Sequence, residues 1–234
     1  MATDSGSTMT DFSHRNAFLN LHPESDLLVI SFEGMLWDQY DWGGPAERFD
    51  VNWLGCKDPR NGYYHFGIEG ISEGIDDTTD WLLDQIEQIN PGRIVTIGGS
   101  GGGYAAILFG WFLDVDAVLG FNPRIFLDRA NRDRTEDSRG AAVIDKVLAN
   151  PSHTPDYLDL HRVLGHEMAG RATHEFHYSH LHPIDRAVTE ECLKFPSVSV
   201  VPHQESKHLL WRLMDSDKMD RILESFLGLK SKSS

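Results

Sequence analysis

Residues 93–112 constrain the fold of this chain more than any other stretch. Ile94, Val95, Thr96 and Ile97 form a β-branched run that reads as a buried strand. Gly98-Gly99-Ser100-Gly101-Gly102 follows at once, and an apolar run from Tyr104 to Phe112 reads as a helix. The pattern is G-x-S-x-G between a strand and a helix, the context in which a serine sits on a sharp, exposed turn. Such a turn strains the serine backbone and leaves no room for side chains two residues to either side, which accounts for the glycines. It exposes the Ser100 hydroxyl. It also directs the Gly101 N–H, at a helix N-terminus, into the space beside that hydroxyl, where it can serve as half of an oxyanion hole.

Other glycine-rich turns bind phosphate. A P-loop would end in Gly-Lys-Ser/Thr, and the matching positions are Gly103-Tyr104-Ala105, so that reading fails. A dinucleotide fingerprint is met only in part by Gly98-x-Ser100-x-x-Gly103. Its middle glycine is missing, and it lies late in the chain. Ser100 is therefore read as a nucleophile, with a plain tight turn or an anion site as the bland alternative.

The rest of the chain alternates in the same way. Strands are expected over 27–32, 49–54, 116–121, 174–179 and 198–201, and helices over 71–89, 141–149, 157–164, 185–193 and 209–227. Alternation of this kind implies βαβ units, a mostly parallel sheet and functional loops gathered at the strand C-termini. The 234 residues suit one domain over 13–229, with polar tails at 1–12 and 230–234 and a possible small cap over 124–172. No apolar run approaches membrane-spanning length, and the N-terminus carries no basic-then-apolar signal pattern. A net charge of −15 argues against nucleic acid or an anionic membrane as partner. Two distant cysteines, Cys56 and Cys192, fit a reducing cytoplasm.

A serine needs a histidine in reach and a carboxylate to orient that histidine. In this strand–turn–helix context the chain order is nucleophile, acid, base. His208, at the head of the final helix, is favoured as base over His203, which directly follows the last strand. Asp185, after the preceding strand, is favoured as acid over Asp128, although Asp at a helix start is also a common cap. The loop after the strand over 27–32 should supply the second oxyanion donor from the amide of Glu33 or Phe32. Trp37, Tyr40 and Trp42 flank that loop and, with Tyr104, are candidates to wall a substrate pocket, ordinary packing being the alternative. His174, His177, His180 and His182 cluster in sequence, but His174 and His177 face opposite sides of a strand, and no metal site is expected.

Several of these segments together resemble a known group. They are Ser31-Phe32-Glu33-Gly34-Met35, Asp50-Val51-Asn52 with Asp58-Pro59-Arg60, Tyr63-Tyr64, Gly67-Ile68, the Gly98–Ala106 stretch, Phe121-Asn122-Pro123, and the late Asp185 and His208. Over residues 27–212 the chain is similar to small bacterial α/β-hydrolase-fold proteins found alone or near polysaccharide and glycosyltransferase genes. Two departures stand out: Gly101 replaces a bulkier residue usual in that group, and Lys207 stands where a glycine often precedes the histidine. The resemblance implies a compact α/β-hydrolase fold with reduced N-terminal strands. It also implies a serine hydrolase of acyl esters or thioesters that needs no cofactor, with a small acyl ester or acylated sugar as substrate. The alternatives are an inactive binding protein of the same shape, and an acyltransferase or lyase using the same residues. Oligomeric state is not legible.

Overall fold

The computed structural model describes residues 12–35, 40–150, 155–165 and 171–229. The run Leu27–Phe32 (β3) is apolar almost throughout because both of its faces are covered. Leu28, Ile30 and Phe32 enter one core, while Leu27 and Val29 enter the other. The two-residue period of a strand thus splits one hydrophobic run between two layers.

Eight strands form one sheet in the order β1-β2-β4-β3-β5-β6-β7-β8. They are Phe12–His14 (β1), Ala17–Asn20 (β2), β3, Asn52–Cys56 (β4), Arg93–Gly99 (β5), Ala117–Phe121 (β6), Thr173–Ser179 (β7) and Val198–His203 (β8). β1 with β2 and β2 with β4 are antiparallel, and every later pairing is parallel. The resemblance implies reduced N-terminal strands. The structure has them in shortened form, 3 and 4 residues long, and β1 begins at Phe12 within the segment read as a tail. The remainder of both terminal tails lies outside the described residues.

One core holds Gly101–Phe112 (α3), packed with residues of Ile75–Ile89 (α2), Ala141–Ala149 (α5), Leu160–Leu164 (α6) and Pro183–Glu190 (α7). The other holds Gly43–Arg48 (α1), Leu210–Leu213 (α8) and Ser216–Leu227 (α9). Arg129–Arg134 (α4) lies between β6 and α5. α3 is buried from Gly101 to Gly110, as an all-round apolar helix must be.

Three boundaries differ from the sequence expectation for local reasons. The strand expected at 49–54 starts at Asn52, because α1 precedes it and Phe49 and Val51 turn into the core. α2 starts at Ile75, after a turn in which the amides of Ile71 and Ser72 bond the Ile68 carbonyl. The final helix is cut in two at Asp215, whose side chain caps α9 by accepting from the Lys218 amide at 2.7 Å.

Candidate active site

Ser100 joins β5 to α3 with φ 52° and ψ −115°, a conformation that side chains rarely adopt. Its neighbours hold it there. The Ser100 amide donates to the Phe121 carbonyl at 2.9 Å, and the Ser100 carbonyl accepts from the Arg124 amide at 3.0 Å. A Cβ on Gly98 would fall 2.1 Å from the Gly102 carbonyl oxygen, and one on Gly102 would fall 2.1 Å from the Phe32 carbonyl oxygen. The flanking glycines are therefore a packing requirement. A Cβ on Gly101 would lie 3.2 Å from Met35 Cγ and 3.3 Å from Tyr63 Cε1. Met35 and Tyr63 thus occupy the space that a bulkier residue at this position would fill.

The fold brings His208 and Asp185 to this serine. Ser100 Oγ lies 2.7 Å from His208 Nε2. His208 Nδ1 lies 2.9 Å from each Asp185 oxygen. A proton on Nδ1, shared with the carboxylate, leaves the Nε2 lone pair facing the hydroxyl. The Asp185 side chain is only 2% exposed and sits in the first turn of α7. His182 caps that helix, its Nδ1 accepting from the Asp185 amide at 3.2 Å. Burial holds His182 below the usual histidine range, which keeps Nδ1 free to accept.

The rival residues lie elsewhere. His203 Nε2 is 2.8 Å from His177 Nδ1, and burial, with His177 and Lys218, pushes its pKa down to about 4. Asp128 caps α4, accepting from the Asn131 amide at 3.0 Å. Neither contacts Ser100. In the expected histidine cluster, His177 instead bonds Glu175 at 2.8 Å, and His174 is buried. Among the described residues no group of three or more metal-ligating side chains is arranged to hold an ion.

The oxyanion loop corrects the sequence reading. The Glu33 amide is committed to the sheet, donating to the Cys56 carbonyl at 2.9 Å. Phe32 is the last residue of β3, paired with Cys56 and Gly98, and its side chain is in the core. Neither borders the cavity at Ser100. Gly34 does, and its amide makes no hydrogen bond among the described residues. Glu33 has a different task. Its carboxyl accepts from the amides of Asp41 at 2.8 Å and Trp42 at 3.3 Å, tying down the chain before α1. Burial, reinforced by Asp41, pushes its pKa up to about 8.

The expected pocket aromatics also fall elsewhere. Trp42 is in the core against Phe121, at 5.6 Å between ring centroids. Tyr40 packs on Phe18 at 4.8 Å. Tyr104 is buried, with its hydroxyl 2.9 Å from His65 Nε2. Trp37 lies outside the described residues. The cavity, of about 320 Å³, is lined instead by Gly34, Met35, Tyr63, Ser100, Arg124, Arg139, Gly140, His208, Leu209 and Trp211. Tyr63 carries a detectable signal in the Tyr63-Tyr64 pair, and Trp211 stands three residues after His208.

Asn122 is a further residue whose role the sequence did not disclose. It is buried, with φ 43°. Its side-chain amide donates to the His208 carbonyl and, at 3.0 Å, to Ser179 Oγ, while its Oδ1 accepts from the Ser179 amide at 2.7 Å. Ser179 Oγ in turn donates to the Lys207 carbonyl at 2.6 Å. This pair fastens the loop that carries His208.

No protein-family model and no curated protein sequence matches the chain. Solved structures do. An α/β-hydrolase enzyme from a lagoon-sediment metagenome superposes with TM-score 0.62 at 12% identity, over 94% of this chain and 98% of that one. The chain has the α/β-hydrolase fold. The glycosylation-associated Gap123 complex of Streptococcus agalactiae gives TM-score 0.64 at 16% identity over 92% of this chain, which spans 45% of that chain's length. A capsule O-acetyltransferase of Neisseria meningitidis serogroup A gives 0.59 at 12% identity, over 93% and 92% of the two chains. The hydrolase fold is thus reached at identities where only the fold is shared. Among the described residues no helix is long and apolar enough to cross a membrane.

Proposed function

We propose that the chain is a serine hydrolase that cleaves an acyl ester or thioester through an acyl-enzyme. The reading rests above all on one observation: Ser100 Oγ, His208 and Asp185 stand in line at 2.7 Å and 2.9 Å on a strained turn. Ser100 Oγ attacks the carbonyl as His208 Nε2 takes its proton, and Asp185 steadies the imidazolium through Nδ1–H. The amides of Gly101 and Gly34 receive the oxyanion. His208 returns the proton to the departing alcohol or thiol. Water then enters, gives its proton to His208 and releases the acid, and the proton returns to Ser100. These steps call on side chains and amides of the chain itself.

The substrate class is a small acyl ester, with an acylated sugar supported by the sequence resemblance and by the glycosylation-associated neighbour. The segment between β6 and β7 acts as a small cap, since Arg124, Arg139 and Gly140 border the cavity. Both cysteines are buried and free, which supports a reducing cytoplasm as the site of action. The likeness to an O-acetyltransferase supports a second reading, in which a sugar hydroxyl replaces water in the second half of the cycle. Hydrolysis of p-nitrophenyl acetate tests the main reading. Turnover is expected in the native protein and should be lost in Ser100→Ala. Equal rates in the two would remove Ser100 from the chemistry. Product analysis with an added sugar separates transfer from hydrolysis.

A further inference from the structure

Arg139 occupies a place for which the ester chemistry above has no use. Its Nε and Nη2 each lie 2.8 Å from an Asp137 oxygen, a fork-on-carboxylate grip. Its Nη1 reaches Asp185 Oδ1 at 2.6 Å and His208 Nδ1 at 2.8 Å. Arg124 holds the same Asp137 at 2.8 Å and the Arg139 carbonyl at 3.0 Å. Arg132 adds a bond from Nε to the Asp137 carbonyl at 3.3 Å. Asp137 is almost fully covered, at 1% side-chain exposure, whereas Arg124 and Arg139 border the cavity beside Ser100. In this network three arginines face two carboxylates, Asp137 and Asp185. Arg132 bonds only a backbone carbonyl of the pair, and Arg124 and Arg139 are the cations that border the cavity.

The contact with His208 is a conflict between donors. A guanidinium can only donate. With the proton on Nδ1, as a base for Ser100 requires, two N–H groups confront each other at 2.8 Å. With Nδ1 bare, Arg139 bonds it well, but the proton then sits on Nε2 and blocks transfer from Ser100. Asp185, with both oxygens 2.9 Å from Nδ1, favours the proton there, and Arg139 in this position opposes it. Proton transfer to His208 would also set an imidazolium directly against the guanidinium.

We infer that the cavity takes an ester whose acyl or alcohol part carries an anionic group, a carboxylate or phosphate. This group binds Arg139 and draws Nη1 off His208. The inference rests on the serine-hydrolase reading above. The guanidinium is planar and rigid, so it swings as one unit, exchanging its bonds to His208 and Asp185 for the ligand, while Arg124 keeps its own hold on Asp137. The apolar walls of Met35, Tyr63 and Leu209 strengthen that charge contact by limiting screening. A substrate without the anion leaves Arg139 against His208 and is turned over more slowly.

The experiment compares 4-acetoxybenzoate with its neutral methyl ester. The native protein is expected to prefer the anionic ester in kcat/KM by roughly ten- to hundredfold, the worth of a charge-assisted hydrogen bond. Arg139→Gln should erase that preference, and Arg139→Lys should restore part of it. The same ratio in the native protein and Arg139→Gln would overturn the inference while leaving the hydrolase reading intact. Failure to turn over either ester would count against the hydrolase reading. A measurement without turnover then decides: ¹⁵N shifts of the His208 ring in Ser100→Ala, with and without benzoate. Benzoate should shift the Nδ1 resonance further toward the protonated position. An unchanged Nδ1 shift at saturating benzoate would overturn the inference.

Discussion

The turn at Ser100 and the segment at Arg124–Arg139 meet at one cavity but are held there by different forces. The turn is fixed by shape. Backbone oxygens of Gly102 and Phe32 fill the space where Cβ atoms of Gly98 and Gly102 would stand. The second segment is fixed by charge, with Asp137 clasped between Arg124 and Arg139 and with Asp185 beyond them. Shape permits one arrangement of Ser100, because packed backbone cannot adjust by small amounts. A charge network has alternatives, because each donor can exchange partners. Ser100 is thus the rigid part of the site, and the guanidinium beside His208 is the adjustable part.

This contrast can be broken at either end. Gly102→Ala forces a methyl group into the Phe32 carbonyl and should cost about 4 kcal/mol or more, at the far end of single substitutions. Urea denaturation should show that loss equally at all pH values where the protein folds. Asp137→Asn leaves Arg124 with a buried, unpaired charge and should cost about 3 kcal/mol at neutral pH. Here the loss must depend on pH. Burial alone would raise the Asp137 pKa, but Arg139 and Arg124 outweigh it and hold it below its ordinary 3.8. Its contribution is therefore present above 3.8 and fades as the pH falls through the depressed value, so the gap between native protein and variant should close in acid. A loss for Gly102→Ala that closes in acid, or one for Asp137→Asn that does not, would contradict the division.

Asn122→Gly keeps the left-handed backbone accessible and removes the bonds to His208 and Ser179. It should lower kcat/KM roughly tenfold, the worth of about one hydrogen bond, with Ser100 still present and folded. A further effect is expected at Glu33. Its pKa is raised from 4.5 to about 8 by burial, so the folded state binds the extra proton across that interval. Stability should fall as pH rises from 4.5 to about 8 and then level off. Glu33→Gln should flatten that slope, as followed by thermal melts across the range.

The meeting of Ser100, Asp185 and His208 was legible in the sequence for the same reason that the turn is rigid. A glycine pattern and the order of strand ends are properties of the backbone. The Glu33 amide is not at the cavity, since the sheet ladder extends past β3 and takes it, leaving Gly34 there. β1 and β2 could not be placed along the sequence because 3 and 4 residues are too few to display a period. Trp42 stands close to Glu33 and Gly34 in sequence yet packs into the second core, because it directly precedes α1, which lies there. Arg139 could not be found at all. Its partners Asp185 and His208 lie 46 and 69 residues away, and a charge contact at that distance leaves no local pattern.

The central claim is that Ser100 is a nucleophile activated by His208. Labelling of the folded protein with a fluorophosphonate probe, followed by peptide mass spectrometry, tests it most directly. The account predicts one adduct, on Ser100, that disappears in Ser100→Ala and forms far more slowly in His208→Ala. Intact folded protein that takes no label at Ser100 would contradict it and favour a binding protein built on the hydrolase fold.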